Sequence, residues 1–255
     1  MSESLDIEKL EREVKLMYGE VAEGPDAELH FETGRDLAER LGYAPERLDY
    51  VPPEAIDSFA GVGHYFDLLD LEPRETVLDL GSGSGMDMFV AALYVGENGS
   101  VTGVDMTDEQ VEKARALAEE NGFHNVSIRH GYIEELPFDD DSFDAVISNG
   151  VINLSAEKQQ VFEEANRVLK PGGRLALADI VSENQLPESI KSDADLWAAC
   201  IGGAAQADSY TEMIERAGFE MAEVRENTEY EFISEQAHGA CQKYGVKSIS
   251  LAARK

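Results

Sequence analysis

From residue 75 onward, short apolar runs alternate with amphipathic stretches, and this rhythm constrains the fold more than any other feature of the chain. Residues 76–80, 101–104, 126–129, 144–148 and 174–179 read as buried strands, apolar without strict polar alternation. Helical patterns separate them. Thr107, with Gln110 three residues on, fits a capping box that opens a helix bearing Val111, Ala114, Leu117 and Ala118, closed by Gly122. Ser155 can cap a second helix running to Leu169, before Lys170-Pro171-Gly172-Gly173 turns the chain into the fifth strand. The rhythm breaks over 182–210, then resumes with a helix near 210–217 and strands near 221–225 and 248–253. Such alternation predicts an α/β fold, a doubly wound, mostly parallel seven-stranded sheet with helices on both faces. Residues 1–70 look helical instead. Ile7, Leu10, Val14 and Met17 share one helix face, a short helix over 34–41 stops at Gly42, and Gly61-Val62-Gly63 makes a loop. We expect this segment to be a helical cover within one domain with residues 71–255, which carries an insertion at about 182–210.

Charge narrows the function. Lys and Arg total 21 against 52 for Asp and Glu, a formal net charge of −31. A chain this acidic has little with which to neutralise phosphates, which argues against nucleic acid and against anionic lipid as partners. The opening Met1-Ser2-Glu3-Ser4-Leu5-Asp6 lacks the basic and apolar parts of a signal peptide, and no apolar run approaches a membrane span, so the expectation is a soluble, cytoplasmic protein. With 43% hydrophobic residues the chain can bury a full core. Acids spread along the whole length point to a salt-rich cytoplasm, where concentrated cation relieves self-repulsion.

The chemistry begins at Val77-Leu78-Asp79-Leu80-Gly81-Ser82-Gly83-Ser84-Gly85. Glycines after a strand let backbone approach a ligand closely, and the following helix offers free N–H groups. Asp105 stands about 20 residues beyond Gly85, at the end of the next strand, where a carboxylate accepts both hydroxyls of a ribose. Dinucleotide sites read Gly-x-Gly-x-x-Gly, and the third glycine would fall on Met86. The observed Gly-x-Gly-x-Gly, preceded by Asp79, resembles the first motif of class I S-adenosylmethionine-dependent methyltransferases. That resemblance extends to Gly131-Tyr132-Ile133-Glu134-Glu135-Leu136-Pro137-Phe138 and to Leu169-Lys170-Pro171-Gly172-Gly173. It implies S-adenosylmethionine as cofactor. Asp79 would hold the methionine ammonium, with Gly81, Ser82, Gly83 and Gly85 beneath the cofactor. Asp105 would take the ribose, Met106 the adenine face, Ile133 or Glu134 the adenine edge, and Asn149 would lie beside the methionine end.

A narrower resemblance is carried by segments 30–38, 103–107, 148–155 and 195–204, which are similar to arsenite methyltransferases. In that family three cysteine thiolates grip trivalent arsenic, whose lone pair attacks the sulfonium methyl; soft thiolates suit a soft centre. Here the corresponding positions are Val62, Gly150 and Cys200, so one thiol of three remains. The expectation is a methyltransferase acting on a small molecule, with an altered acceptor site. A carbon or oxygen methyltransferase of a lipid-like or quinone-like ring, and a non-catalytic cofactor binder, stay open as alternatives. On the acceptor side Cys200 and His64 are the catalytic candidates and Trp197 a further substrate contact. Cys241 reads as a small buried or surface residue, and Asp139-Asp140-Asp141 as a solvated run rather than a metal site.

Overall fold

The computed structural model describes residues 7–23, 31–191, 196–197, 200–233 and 235–255. Residues 1–6, His30, Asp195, Ala198 and Ala199, used above, lie outside that set. The sheet contains β1 (Thr76–Leu80), β2 (Ser100–Asp105), β3 (Val126–His130), β4 (Phe143–Asn149), β5 (Leu169–Ser182), β6 (Ala205–Gln206), β7 (Glu220–Glu226) and β8 (Lys247–Arg254). Its order is β3-β2-β1-β4-β5-β8-β7, with the two-residue β6 paired to β5. The seven expected strands thus form the main path, and a short eighth arises inside the insertion. Pairing is parallel except at β8, which runs antiparallel to both β5 and β7.

Successive strand residues feed two separate apolar layers, the consequence of the period-two alternation of side chains. Val77, Ala145, Ile147, Ala176, Ala178 and Ile180 pack with α6 (Met86–Val95) and α7 (Asp108–Glu120). Leu78, Val146, Leu175 and Leu177 pack with α8 (Lys158–Val168) and α9 (Ala207–Arg216). Helices on both faces bury the sheet, hence its nearly continuous apolar strands. Small residues on the first face admit the N-terminal helices α2 (Arg35–Leu41), α3 (Pro45–Leu48), α4 (Pro53–Asp57) and α5 (Phe66–Leu69). The first helix, α1 (Ile7–Glu23), sets Leu10 and Val14 against Trp197. Among the described residues no helix is long and apolar enough to cross a membrane.

Two local expectations are corrected. Thr107 is the N-cap of α7, but its side chain makes no capping bond. Gln110 does not reach back to it; its Nε2 donates to Tyr18 O at 2.8 Å and its Oε1 accepts from Ser84 Oγ at 2.6 Å. Nor does Ser155 cap α8, which begins at Lys158. Its Oγ accepts from Glu157 N at 3.0 Å and donates to Glu134 Oε1 at 2.5 Å.

Candidate active site

The strand order reverses between β1 and β4, so the connections leave in opposite directions and open a crevice at the C-terminal ends of those strands. Asp79 lies near that end of β1 and Asn149 closes β4. The glycine loop lies beside them. Gly81 has φ +66°, and a Cβ there would sit 2.4 Å from Val151 Cγ1, so only glycine fits. A cavity of about 430 Å³ fills the crevice. Asp79, Gly81, Ser82, Gly83, Gly85, Asp105, Met106, Ile133, Glu134, Asn149 and Trp197, all singled out from sequence, line it together.

Asp105 is held from two sides. Its Oδ1 accepts from Thr107 N and its Oδ2 from Gly83 N, each at 2.9 Å. A carboxylate offers about four acceptor positions, so two remain for a pair of hydroxyls. Burial raises its pKa, opposed by those backbone donors and by His130. Asp79 is 2% exposed, and its Oδ2 has no hydrogen-bond partner. Burial first, then nearby Asp87 and Asp105, push its pKa well above the ordinary carboxylate range. Ser82 Oγ is likewise buried and unpartnered. A cavity walled by Asp79 and Ser82, each with an unpartnered polar atom, beside a twice-anchored carboxylate fits a hydroxylated, cationic occupant, which is what the nucleoside and ammonium ends of S-adenosylmethionine present.

Asn149 is occupied with the chain itself. Its Oδ1 accepts from Val62 N at 2.8 Å, and its Nδ2 lies 2.9 Å from both Gly63 O and Asp87 Oδ2. It therefore clamps the loop 61–63 onto the end of β4. Glu134 accepts from Ser155, and Met106 packs against the cluster of Leu10, Val14 and Trp197. Trp197 is 5% exposed and its Nε1 donates to Leu154 O at 2.9 Å.

The two catalytic candidates stand elsewhere. His64 does not line the cavity; its ring lies edge-on to Tyr43 at 4.7 Å, and its Nδ1 is 3.2 Å from Asp67. That packing turns it away from the crevice, and burial lowers its pKa. Cys200 sits behind the lining, with Sγ 3.3 Å from Gly150 O and 3.8 Å from Tyr18 Oη. Burial, then Asp179, push its thiol up to about 12, so it stays protonated at neutral pH. A Cβ added at Gly150 would lie 3.3 Å from Val62 Cγ1. Val62, Gly150 and Cys200, far apart in sequence, are therefore neighbours in space. Cys241 is half-buried on α10 (Glu235–Tyr244).

Sequence reasoning missed Leu10, Glu11, Val14 and Tyr18 of α1, which roof the cavity, and Asp87, which lies in its wall. Asp87 carried a signal, being the one charged residue in the otherwise apolar Met86–Val95. Replacing Asp105 by alanine is expected to weaken binding of S-adenosylhomocysteine by about 2 kcal/mol, the loss of a charged acceptor for two hydroxyls. Titration calorimetry checks this, and unchanged affinity would remove Asp105 from the site.

A family model described as a methyltransferase domain matches residues 71–218. An arsenite methyltransferase of Halobacterium salinarum is 44% identical over 205 residues, covering 80% of this chain and 52% of that protein. A demethylmenaquinone methyltransferase of Listeria welshimeri is 38% identical over 118 residues, 46% of this chain and 50% of that one. The chain thus spans about half the length of these two relatives. The crystal structure of an arsenic(III) S-adenosylmethionine methyltransferase from Chlamydomonas reinhardtii superposes with a TM-score of 0.64 at 32% identity, covering 88% of this chain and 74% of that one. With the strand order, the glycine loop at the crevice and the paired acids at 79 and 105, these matches identify the family: the chain belongs to the class I S-adenosylmethionine-dependent methyltransferases.

Proposed function

We propose that this protein moves the methyl group of S-adenosylmethionine to a small acceptor, in a site of arsenite-methyltransferase type whose acceptor end has changed. The observation that carries the proposal is the size of the cavity. At about 430 Å³ it lies toward the lower end of ligand pockets, which run from roughly 300 to 1,000 Å³. A nucleoside cofactor with its amino-acid arm would occupy the part walled by Asp105, the glycine loop and Asp79, leaving the end beside Phe59, Val151 and Trp197 for a small acceptor. The quinone-ring alternative has support in the likeness over 118 residues to a demethylmenaquinone methyltransferase. An isoprenoid-bearing ring, however, needs a larger apolar chamber.

When bound, the cofactor supplies an electrophilic methyl on a positively charged sulfur. Asp105 and Asp79 would orient its two ends, and the glycine loop would let backbone come close. Leu10 and Val14 of α1, closing over Trp197, would exclude water. Phe59, Val151 and Trp197, which line the cavity, would hold an acceptor with its lone pair in line with the methyl that the bound cofactor would supply. Alignment of the two reactants is then the main source of acceleration. A soft acceptor that already carries a lone pair needs no base, consistent with His64 facing away.

The test is methyl transfer from labelled cofactor in concentrated potassium chloride to two acceptor sets, small thiols and metalloid oxyanions in one, demethylated quinone rings in the other. Transfer confined to the small acceptors is expected. Transfer confined to the rings would replace this proposal with the quinone reading, and transfer to neither set, with cofactor bound, would favour a non-catalytic binder.

A further inference from the structure

Two buried carboxylates, Asp79 and Asp87, stand in the wall of the cavity. Asp87, 5% exposed, accepts Tyr43 Oη on Oδ1 at 2.5 Å, and Tyr65 Oη and Asn149 Nδ2 on Oδ2 at 2.8 and 2.9 Å. Asp79 contributes the unpartnered Oδ2. Both line the cavity. The groups facing this pair are Asp105 from β2, Tyr43 and Tyr65 from the helical cover, and Asn149 from β4. His64 lies on the far side of Tyr43, bound to Asp67, and His130 acts on Asp105. Among the described residues no ion pair involves Asp79, Asp87 or Asp105.

Neutral donors hold Asp87 in place without cancelling its charge, and Asp79 lacks even a donor on Oδ2. Two like charges buried in one cavity wall, the second acting on the first, cannot both ionise cheaply. A cation entering from the cavity removes that difficulty, and an ammonium, with three N–H donors, can serve both carboxylates, since both residues line the cavity.

We propose that Asp87 is the second carboxylate of the subsite for the cofactor's ammonium, and that the two acids of this wall, Asp79 and Asp87, keep one proton which leaves when that ammonium binds. The inference rests on the family's cofactor occupying the cavity. Burial raises the pKa of both acids, in line with a retained proton before the ligand binds. Affinity for the amino-acid end therefore rises with pH as the pair loses its proton, and falls as the pH drops. Asp87 also ties Tyr43 and Tyr65 of the cover to the ligand, so the subsite and the cover over it are one hydrogen-bonded unit.

Calorimetric titrations of the intact protein near pH 6, in two buffers of different ionisation heat, test this. The ligands are S-adenosylhomocysteine and 5′-methylthioadenosine, which keeps the nucleoside and sulfur but lacks the amino-acid end. Proton release approaching about one per site is expected with the first and none with the second. Asp87→Asn should weaken S-adenosylhomocysteine about tenfold or more while leaving 5′-methylthioadenosine unchanged. Equal proton release for both ligands overturns the inference without any variant, as does an Asp87→Asn protein that loses both ligands equally. If neither ligand binds, the cofactor assignment fails with it; if only proton release is missing, the assignment stands and the inference falls.

Discussion

Arsenite, offered with glutathione and S-adenosylmethionine in concentrated salt, is expected to be methylated about a hundredfold faster by the double variant Val62→Cys, Gly150→Cys than by the natural protein. Capture of a soft trivalent centre needs several thiolates converging on one point. The natural chain offers Cys200 there, and that thiol is buried, protonated and turned to the carbonyl of Gly150. The architecture for convergence nevertheless persists. A Cβ at position 150 would lie 3.3 Å from Val62, and the backbone of residue 150 touches the sulfur of Cys200. Replacing valine by the smaller cysteine makes room for the new side chain at 150. Gly150 has φ +71°, so a cysteine there carries strain of about 1–2 kcal/mol and lowers the melting temperature somewhat. Speciation of methylated arsenic by both proteins decides the matter. Brisk turnover by the natural chain would mean that Cys200 with small thiols suffices, and that the acceptor site is unaltered in practice.

What could be read from sequence was whatever is set by neighbours in the chain. The strand at 76–80, the glycine turn and an acid about 20 residues on are local signals, and all come together at the point where the sheet order reverses. The misreadings have a common cause, which is competition from distant partners. Gln110 has the right spacing for a capping box, yet its amide is taken by Tyr18 and Ser84, one of them on a helix some 90 residues away. His64 follows a glycine loop, as an active-site base often does, yet Tyr43 and Phe66 pack against its ring and Asp67 holds its nitrogen. The roof formed by α1 was illegible for the same reason, since an amphipathic pattern reveals a buried face but not what it covers. Asp87 shows the limit most sharply. A lone acid in an apolar helix announces a buried partner, but nothing local says that two tyrosines and an asparagine from three other segments will meet it.

Raising potassium chloride from dilute buffer to molar concentration is expected to raise the melting temperature by about 10 °C or more. The chain carries a formal net charge of −31, and ion pairs cannot absorb it. Many of its pairs, such as Arg35–Asp49 and Arg216–Glu212, are exposed and contribute little, because water and ions screen them. Salt weakens those pairs, but it weakens the far more numerous carboxylate repulsions too. The screening length shrinks from about 10 Å at 0.1 M to about 3 Å at 1 M, so repulsion across the surface is largely removed. Several kcal/mol recovered this way correspond to roughly 2–4 °C each for a domain of this size. The same electrostatics set a pH trend in dilute buffer. Burial raises Asp179 to about 6, opposed by its hydrogen bond from Tyr210 and by Lys158, and it raises Asp79 and Asp87 as well. An acid whose folded pKa lies above its unfolded value stabilises the fold at low pH, and that stability is lost as pH rises through the folded value. Asp67 and Glu164, held low by hydrogen bonds from Arg225 and Arg167, lose their contribution only as pH falls below the ordinary carboxylate range. Between those limits, at about pH 4 to 6, the empty protein in dilute buffer should melt higher than at pH 8, and molar salt should narrow the gap. Scanning calorimetry over both variables measures this, and a melting temperature that stays flat or falls with salt would show that local pairs, not the collective charge, govern stability.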